Sequence, residues 1–434
     1  MANVLVHNRI RVSPSSLRLG ATIVLALLAL FGGAAPAAGA PPANDTWQRL
    51  AQLPEAVTEP LLAFAVSPSE PATLLAGTPA GNLYRSSDGG QSWKLVKRQL
   101  GGPVTSVVFD PYQSGSVVVG THSAGAWRSS DGGQTWDREA GSEGRSVRAI
   151  AFGPGLTLVG SDQGALLSHG GAPLTPSGPQ TVGVSAVAVV QGGQPTRLVI
   201  GADTSRAEEA LPLFASGDGG QSWAVAAKDV GASSMVSALA AGPAPDGSPR
   251  PLLLGTNAGL YSSHDGADSW QQLTGDPALP AVDFSALAWS DRTDQFYVAS
   301  DGGGSDAGGI WQTADGGSHF RSLEPPVHAV TALAVSRGLE PVLYAASFRP
   351  VDHAVFLWSY RDAGGSPQTA IGAVPAPKPI AQAGASAPGP ALNPAVEARQ
   401  LLHGPETPFL ALGLVSLLVL LLALGAYAGR ARKL

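Results

Sequence analysis

The chain has 434 residues, enough for one large or two ordinary domains, with 55 glycines, 36 prolines and only 13% charged residues. This composition is typical of an all-β chain with many tight turns and argues against a coiled coil, which needs many charged side chains. The absence of cysteine excludes a disulfide scaffold, a cysteine-ligated zinc site and thiol catalysis. All 32 acidic residues but only 20 of the 26 basic ones lie between residues 44 and 407, so this region would be repelled by phosphate backbones and nucleic acid is not an expected partner.

The N-terminal residues 1–40 resemble an export signal. Arg9, Arg11 and Arg18 precede an apolar run from about Ala21 to Phe31, and small residues follow as far as Ala40. We expect cleavage near residues 37–40, and an uncleaved segment would remain as an anchor.

A repeated eight-residue box dominates the middle of the chain. It has a Ser or Thr, an Asp two residues later, glycines and a final aromatic residue, and it occurs at Ser86–Trp93, Ser129–Trp136, Ser216–Trp223, Ser263–Trp270 and Thr313–Phe320. A degenerate copy lies at Ser168-His169-Gly170-Gly171. Counting His169, the Asp positions are separated by 43, 38, 49, 47 and 50 residues, which indicates repeats of one supersecondary unit.

Each box is preceded by the same three predicted strands. The first strands are small and apolar, and they are predicted at 62–66, 104–109, 147–152, 184–189, 236–240, 284–289 and 330–335. Second strands end in Gly-Thr or an equivalent pair, a third strand leads into the box, and the box aromatic residue begins a fourth. Four short strands per unit of this length predict blades of a β-propeller, and seven first strands predict seven blades between residues 44 and 362.

The seventh blade lacks a fourth strand in the sequence. The segment Asp45–Leu50 resembles the strand that follows a box, so we expect it to complete the blade and close the ring. The box aspartates and tryptophans are interpreted as structural, because Asp accepts hydrogen bonds from a tight turn and Trp covers adjacent strands. These residues are Asp88, Trp93, Asp131, Trp136, Asp218, Trp223, Asp265, Trp270 and Asp315.

After the propeller, residues 363–407 are rich in Ala, Pro and Gly and predict a disordered stalk. Residues 408–429 predict one C-terminal transmembrane helix, because the 20 residues Phe409–Ala428 are apolar and uncharged. The basic tail 430–434 is then expected to be cytoplasmic, with the propeller on the extracytoplasmic side.

The boxes resemble the Asp-box (BNR) repeats of sialidase-like propellers. Blade number and domain size are most similar to the photosystem II stability/assembly factor-like group, because sialidases have six blades and sortilin-type receptors have ten. The resemblance implies a seven-bladed propeller that binds ligands on the face opposite the boxes, formed by the loops from second to third strands and from fourth to first strands.

A sialidase-like enzyme would need an arginine triad, a Tyr/Glu nucleophile pair and an acidic Asp. Tyr84, Tyr261, Tyr297 and Tyr344 are predicted to lie in the core, and no catalytic set is identified. The chain is therefore interpreted as a non-enzyme, with a glycoside hydrolase as the alternative. No metal or cofactor is expected: the loop Asp301–Asp306 offers oxygens to calcium, but an acidic surface loop is the favoured interpretation.

The expected binding face carries most of the unusual charged residues. The candidates are Arg98, His122, Arg148, Asp203, Asp301, Arg349, Asp352 and His353, with Lys97, Arg138, Glu139, Arg145, Arg206, Glu208, Glu209 and Asp306 in the same loops. Arg148 is the one charged residue within a predicted first strand, where it is expected near the central channel. We hypothesise an exported, membrane-tethered scaffold for a protein partner, with a cell-surface glycan-binding protein or glycosidase as the alternative.

Overall fold

The computed structural model describes residues 45–363 except for 193–195, 204–212, 231–234, 244–248, 276–278, 281, 305–306 and 339. The predicted export signal, nearly all of the stalk, the transmembrane segment and the basic tail lie outside the described residues. Within the described ranges, no helix is long and apolar enough to cross a membrane.

The described residues form seven antiparallel sheets of four strands each, which confirms the predicted all-β, seven-bladed propeller. Blade 1 contains β2 (Ala63–Val66), β3 (Leu74–Gly77), β4 (Leu83–Ser86) and β5 (Lys94–Lys97). Blade 2 contains β6 (Val104–Phe109), β7 (Val117–Thr121), β8 (Ala126–Ser129) and β9 (Asp137–Arg138). Blade 3 contains β10 (Val147–Gly153), β11 (Leu156–Ser161), β12 (Gly164–His169) and β13 (Thr175–Ser177).

The other four blades repeat this order. Blade 4 contains β14 (Gly183–Val190), β15 (Arg197–Asp203), β16 (Leu213–Ser216) and β17 (Ala224–Val225). Blade 5 contains β18 (Val236–Ala241), β19 (Leu252–Thr256), β20 (Gly259–Ser263) and β21 (Gln271–Leu273). Blade 6 contains β22 (Ala286–Trp289), β23 (Phe296–Ser300), β24 (Gly309–Thr313) and β25 (Arg321–Ser322). Blade 7 contains β26 (Val330–Val335), β27 (Val342–Arg349), β28 (Ala354–Arg361) and, from the other end of the chain, β1 (Trp47–Arg49).

The ring is closed as the sequence predicts. Strand β1 pairs with β28 in antiparallel register, with Trp47 opposite Tyr360 and Arg49 opposite Trp358. The Trp47 indole also donates a 2.6 Å hydrogen bond to the carbonyl of Leu323 in blade 6. The N-terminal strand therefore covers the edge that β28 would otherwise expose.

Inter-blade contacts around the channel follow a repeated position. A bulge lies near the start of the first strand in five blades, at its second residue in four of them and at its third residue in β14. The bulged residues are Thr105, Arg148, Ser185, Ser237 and Thr331. The hydroxyl of Ser185 donates to Val236 O at 2.8 Å, that of Thr331 donates to Leu61 O at 2.7 Å, and Thr105 donates to Val147 O. Each of these bonds reaches the first strand of the next blade or, at Leu61, the segment two residues before it, so they help to hold neighbouring blades in register.

The five complete box turns share one hydrogen-bond pattern. In the turn of blade 2, Asp131 Oδ1 accepts from the Ser129 hydroxyl at 2.7 Å and from the backbone N–H groups of Gln134 and Thr135, each at 2.9 Å. The Thr135 hydroxyl donates to Asp131 Oδ2 at 2.6 Å. In the box of blade 6 His319 takes the hydroxyl position, and its Nδ1 lies 2.6 Å from Asp315 Oδ2. This geometry supports the structural interpretation of the box aspartates, which stays a prediction.

Candidate binding face

The strand order defines two faces of the disc. One face, which we call the loop face, is formed by the loops from second to third strands and from fourth to first strands. The other, the box face, is formed by the boxes and by the loops from first to second strands. Strand β1 begins and β28 ends on the box face, where Asp45 N donates to Arg361 O at 2.9 Å. Both ends of the propeller thus leave it on the side opposite the predicted ligand site.

Arg98 and His122 are exposed on the loop face. Burial and the Glu55 carboxylate raise the pKa of Tyr84 to about 12, while the Arg98 charge acts in the opposite direction, so these three groups share one electrostatic environment. His122 Nδ1 lies 3.0 Å from the Ser146 hydroxyl. Arg98 and His122 belong to adjacent connections on blades 1 and 2, and the structure places them on the same sector of the face.

Arg349, Asp352 and His353 occupy the tip of the long hairpin of blade 7. Arg349 donates to both Asp352 oxygens, from Nε at 2.9 Å and from Nη2 at 2.5 Å. His353 has a positive φ of 52° and its ring centroid lies 6.0 Å from that of Phe348. The hairpin therefore presents a neutralised ion pair beside an imidazole.

Arg148 occupies the bulged position of β10, which carries a bridging hydroxyl in blades 2, 4 and 7. It is half-buried, and a Cβ atom placed on Gly183 would lie 3.5 Å from Arg148 Nη1. The guanidinium thus extends from blade 3 to the start of blade 4. In this position the Arg148 side chain can hold blades 3 and 4 together, and it can also contact a ligand on the channel side.

Of the remaining candidates, Asp301 is separated from that sector, whereas Asp203 borders it beside Arg148. Asp301 follows β23, and its Oδ1 accepts a 2.9 Å hydrogen bond from Gly303 N. Asp203 ends β15, where it pairs with Gly183. Arg206, Glu208, Glu209 and Asp306 lie outside the described residues. Arg98, His122, Arg148 and the Arg349 hairpin therefore lie on the neighbouring blades 7, 1, 2 and 3. Asp203 lies on blade 4 and Asp301 on blade 6.

Exposed apolar side chains also concentrate on the loop face. Five large hydrophobic residues are exposed among the described residues, and three of them, Leu62, Met235 and Val351, lie there. Val351 is 86% exposed at the tip of the blade 7 hairpin. Tyr112 is on the box face and Val225 is on the outer rim. Leu62, Met235 and Val351 lie on blades 1, 5 and 7, so they are single exposed apolar residues on the face that also carries Arg98 and Arg349.

Sequence reasoning missed two stacks of cations on aromatic rings. The guanidinium carbons of Arg49 and Arg349 each lie 4.8 Å from the ring centroid of Phe356. Lys97 and Arg138 lie at the same distance from the ring of Trp127. Arg49 and Arg349 are 300 residues apart, so only the closing register of β1 brings them together.

Glu139 differs from the expectation of an exposed binding residue. It is 7% exposed, and Arg128 Nε donates to its Oε2 at 2.5 Å. Its position faces blade 3 rather than solvent, because residues alternate between the two faces of a blade. The expectation that it belongs to the binding face is wrong.

Four tyrosines considered as nucleophiles of a sialidase-like enzyme lie in the core. Tyr84, Tyr261, Tyr297 and Tyr344 are buried, as predicted. Ser146 is buried too, and Asp162 Oδ1 accepts from the backbone N–H of Ser146 at 2.9 Å rather than from His122, so the imidazole is not oriented as in a triad. Within the described ranges, no group of three or more His, Asp or Glu side chains is placed to hold a metal ion.

Solved structures match the chain in fold, whereas no protein-family profile and no curated protein sequence matches it. A GH74 enzyme from Niastella koreensis aligns with a TM-score of 0.53 and 15% identity over 72% of this chain and 53% of that chain. YCF48 bound to D1 peptide aligns with a TM-score of 0.51 and 17% identity over 75% of this chain and 100% of that one. The WD40 propeller domain of Doa1 aligns with a TM-score of 0.53 and 11% identity over 74% of this chain and 98% of that chain. The chain thus spans about half the length of the GH74 enzyme, and these matches show a shared propeller fold.

Proposed function

We propose that the chain is an exported, membrane-tethered propeller whose loop face binds another protein, as a non-enzymatic scaffold on the outer side of the membrane. The observation that carries this proposal is the coincidence of exposed Leu62, Met235 and Val351 with exposed arginines on one face. Both described ends of the propeller, Asp45 and Asp362, lie on the opposite face. YCF48, which has a similar fold and size, has been solved with a bound peptide.

We also propose that the boxes belong to a known class of propeller repeats. The complete boxes share their hydrogen-bond pattern as well as their sequence, which supports grouping them with the Asp-box repeats of the sialidase-like propellers, and with the assembly-factor-like group among these. Membrane tethering rests on the sequence of residues 1–40 and 408–434.

The test is capture of a partner by the full-length tagged chain from detergent-solubilised envelope of its own organism. Changing Arg349 to Glu, alone and together with Arg148→Glu, is expected to reduce recovery of the partner about tenfold or more, because like charges at an interface are unfavourable. Arg292→Glu is the matched control: Arg292 makes the same bidentate pair with Asp294, with similar exposure, but on the box face.

A partner that is recovered equally with all these variants would exclude the loop face as its site. The alternative, a cell-surface glycan-binding protein or glycosidase, predicts that polysaccharide is retained instead. The structure favours the protein partner because the one exposed aromatic side chain among the described residues, Tyr112, lies on the box face.

A further inference from the structure

Complete box turns pack tightly against the preceding blade. A Cβ atom placed on the second box glycine would lie 2.8 Å from Leu50 at Gly90, 3.0 Å from Leu75 at Gly133, 2.7 Å from Ser177 at Gly220 and 2.9 Å from Leu273 at Gly317. The fifth box has Ala267 at this position, and it is fully buried. Each complete box therefore fills the space between its own blade and the preceding one.

The turn of blade 3 fills this space only in part: Leu174 takes the place of the box Trp and is buried, but the glycines of the turn leave open space beside them. It runs from Ser168 to Leu174, one residue shorter than the complete boxes, and it lacks both the Asp and the Trp. A Cβ atom on Gly170 or Gly171 would have no atom within 4 Å. A groove of about 720 Å³ is left between blades 2 and 3 on the box face, lined by residues of the loop 110–116, the end of β8 and the turn itself.

The base of this groove holds a buried ion pair. Arg128 donates to Glu139 from Nε at 2.5 Å and from Nη2 at 3.2 Å, and Glu139 is 7% exposed. Glu139 lies three residues after the box Trp, where most blades have an apolar residue: Leu50, Val96, Ala226, Leu273 and Leu323. Burying a carboxylate at this position costs free energy relative to an apolar residue, so stability alone does not account for it.

The equivalent arginine of blade 1 donates to a backbone carbonyl of the next box turn, and this acceptor is missing in blade 3. Arg85 Nε donates to the carbonyl of Gly132, in the box turn of blade 2, at 2.8 Å. Arg128 has the same place in blade 2, but the short turn of blade 3 offers it no carbonyl. Its Nη2 instead reaches the Thr157 hydroxyl at 3.2 Å.

We propose that this groove binds a turn of another polypeptide that carries an aromatic side chain and takes the place of the missing box. Its backbone carbonyl would accept from the second N–H of Arg128 Nη1, whose first N–H donates to the Ser116 hydroxyl at 3.3 Å, because the Nε–H that meets a carbonyl in Arg85 is already donated to Glu139 in Arg128. An indole N–H would donate to Glu139, as Trp93 and Trp270 donate to carbonyls of the preceding blades at 3.0 and 2.9 Å. The site is on the box face, so it does not depend on the loop face proposed above.

The probe is a cyclic peptide with the sequence of residues 86–93, compared with the same peptide in which Ala replaces Trp. Binding to the full-length chain is measured by fluorescence anisotropy. We expect saturable binding that weakens about tenfold or more without the indole, as is usual for a central aromatic contact. Ser130→Trp, at the exposed rim of the groove, is expected to abolish binding, whereas Ser87→Trp, the equivalent exposed position in blade 1, should leave it unchanged.

A second blocking variant, Ala172→Trp, lies in the short turn itself and should act like Ser130→Trp. The proposal is overturned if the peptide does not bind at millimolar concentration, if the Ala peptide binds equally, or if binding survives both blocking variants. Displacement of the peptide by envelope saccharides at the same site would replace the proposed polypeptide ligand with a glycan.

Discussion

At the scale of single residues, the box aspartates couple local structure to pH. Burial would raise the pKa of Asp131, but hydrogen bonds from the hydroxyls of Thr135 and Ser129 and from the backbone N–H groups of Thr135 and Gln134 outweigh it and hold the pKa well below its ordinary value. A carboxyl whose pKa is lower in the folded state stabilises the fold above its unfolded pKa of about 3.9. That contribution is lost as the pH falls from there through the folded pKa.

Replacing Asp131 with Asn should therefore lower stability at neutral pH by about 1 kcal/mol, or roughly 2–4 °C in the unfolding temperature. The amide group places a donor where Thr135 also donates. Below about pH 4 the difference from the unaltered chain should shrink, because the native carboxyl is losing its advantage there. Calorimetric scans between pH 7 and pH 3 measure both effects, and a difference that stayed constant with pH would contradict the argument.

The exposed neighbour Asp137 is the control for this measurement. The structure assigns it no side-chain hydrogen bond within the described residues, and it begins β9 directly after the box. Asp137→Asn should leave the unfolding temperature nearly unchanged at every pH.

Residue roles were predictable where the partners are close in sequence. The hydrogen-bond partners of each box aspartate lie within four residues of it, so spacing alone indicated its role. Glu139 and Arg49 depend on distant parts of the chain: Glu139 meets Arg128 across a strand pair, and Arg49 meets Phe356 only because β1 pairs with β28. The degenerate box of blade 3 was visible in the sequence, but the groove beside it depends on how the turn packs in three dimensions.

At the scale of strands and their ends, Asp362 ties the last strand of the propeller to blade 6. It is fully buried, and its Oδ2 accepts from Tyr297 OH at 2.6 Å, Gln312 Nε2 at 2.6 Å and Gln295 Nε2 at 2.9 Å. Burial and the Asp362 charge raise the pKa of Tyr297, which keeps its hydroxyl a donor.

Asp362→Ala should thus destabilise the propeller by at least about 3 kcal/mol, because it leaves buried donors without an acceptor. Asp352→Ala is the comparison: it removes an exposed partner of Arg349 and should change the free energy of unfolding far less, because solvent screens exposed ion pairs. Urea unfolding of the two variants measures the free energies. Equal losses would show that burial at Asp362 has little energetic weight.

Strand positions were predicted well where apolar alternation is complete. The predicted first strands at 104–109 and 330–335 coincide with β6 and β26. Phe284 and Ser285 were expected in a strand, but β22 begins at Ala286, because Phe284 packs into the core beside Trp311 instead of pairing with β23. In blade 7 the second strand extends two residues beyond Ala346-Ser347, the pair equivalent to Gly-Thr at which second strands were predicted to end, since Phe348 and Arg349 continue the pairing with β28.

At the scale of the whole molecule, closure joins residues that are about 300 positions apart. The core between blades 7 and 1 includes Leu50, which follows β1, with Tyr344 and Leu357 of blade 7 and Phe64 and Trp93 of blade 1. Removing β1 therefore does more than shorten one sheet, because it also opens the packing between the first and last blades.

Deleting residues 45–50 should open the closed ring and expose the β28 edge, so that the variant self-associates more than the unaltered chain. Trp47→Ala is a milder change than the deletion. It removes the hydrogen bond to Leu323 O and the ring contact with Tyr360 at 5.0 Å, and it should lower the free energy of unfolding by about 2 kcal/mol. Gln48→Ala, on the adjacent exposed position, should cost almost nothing. Light scattering and thermal unfolding distinguish the outcomes. A deletion variant with the same molecular mass per particle and the same unfolding temperature as the unaltered chain, allowing for the deleted residues, would show that the first and last blades hold together without this strand.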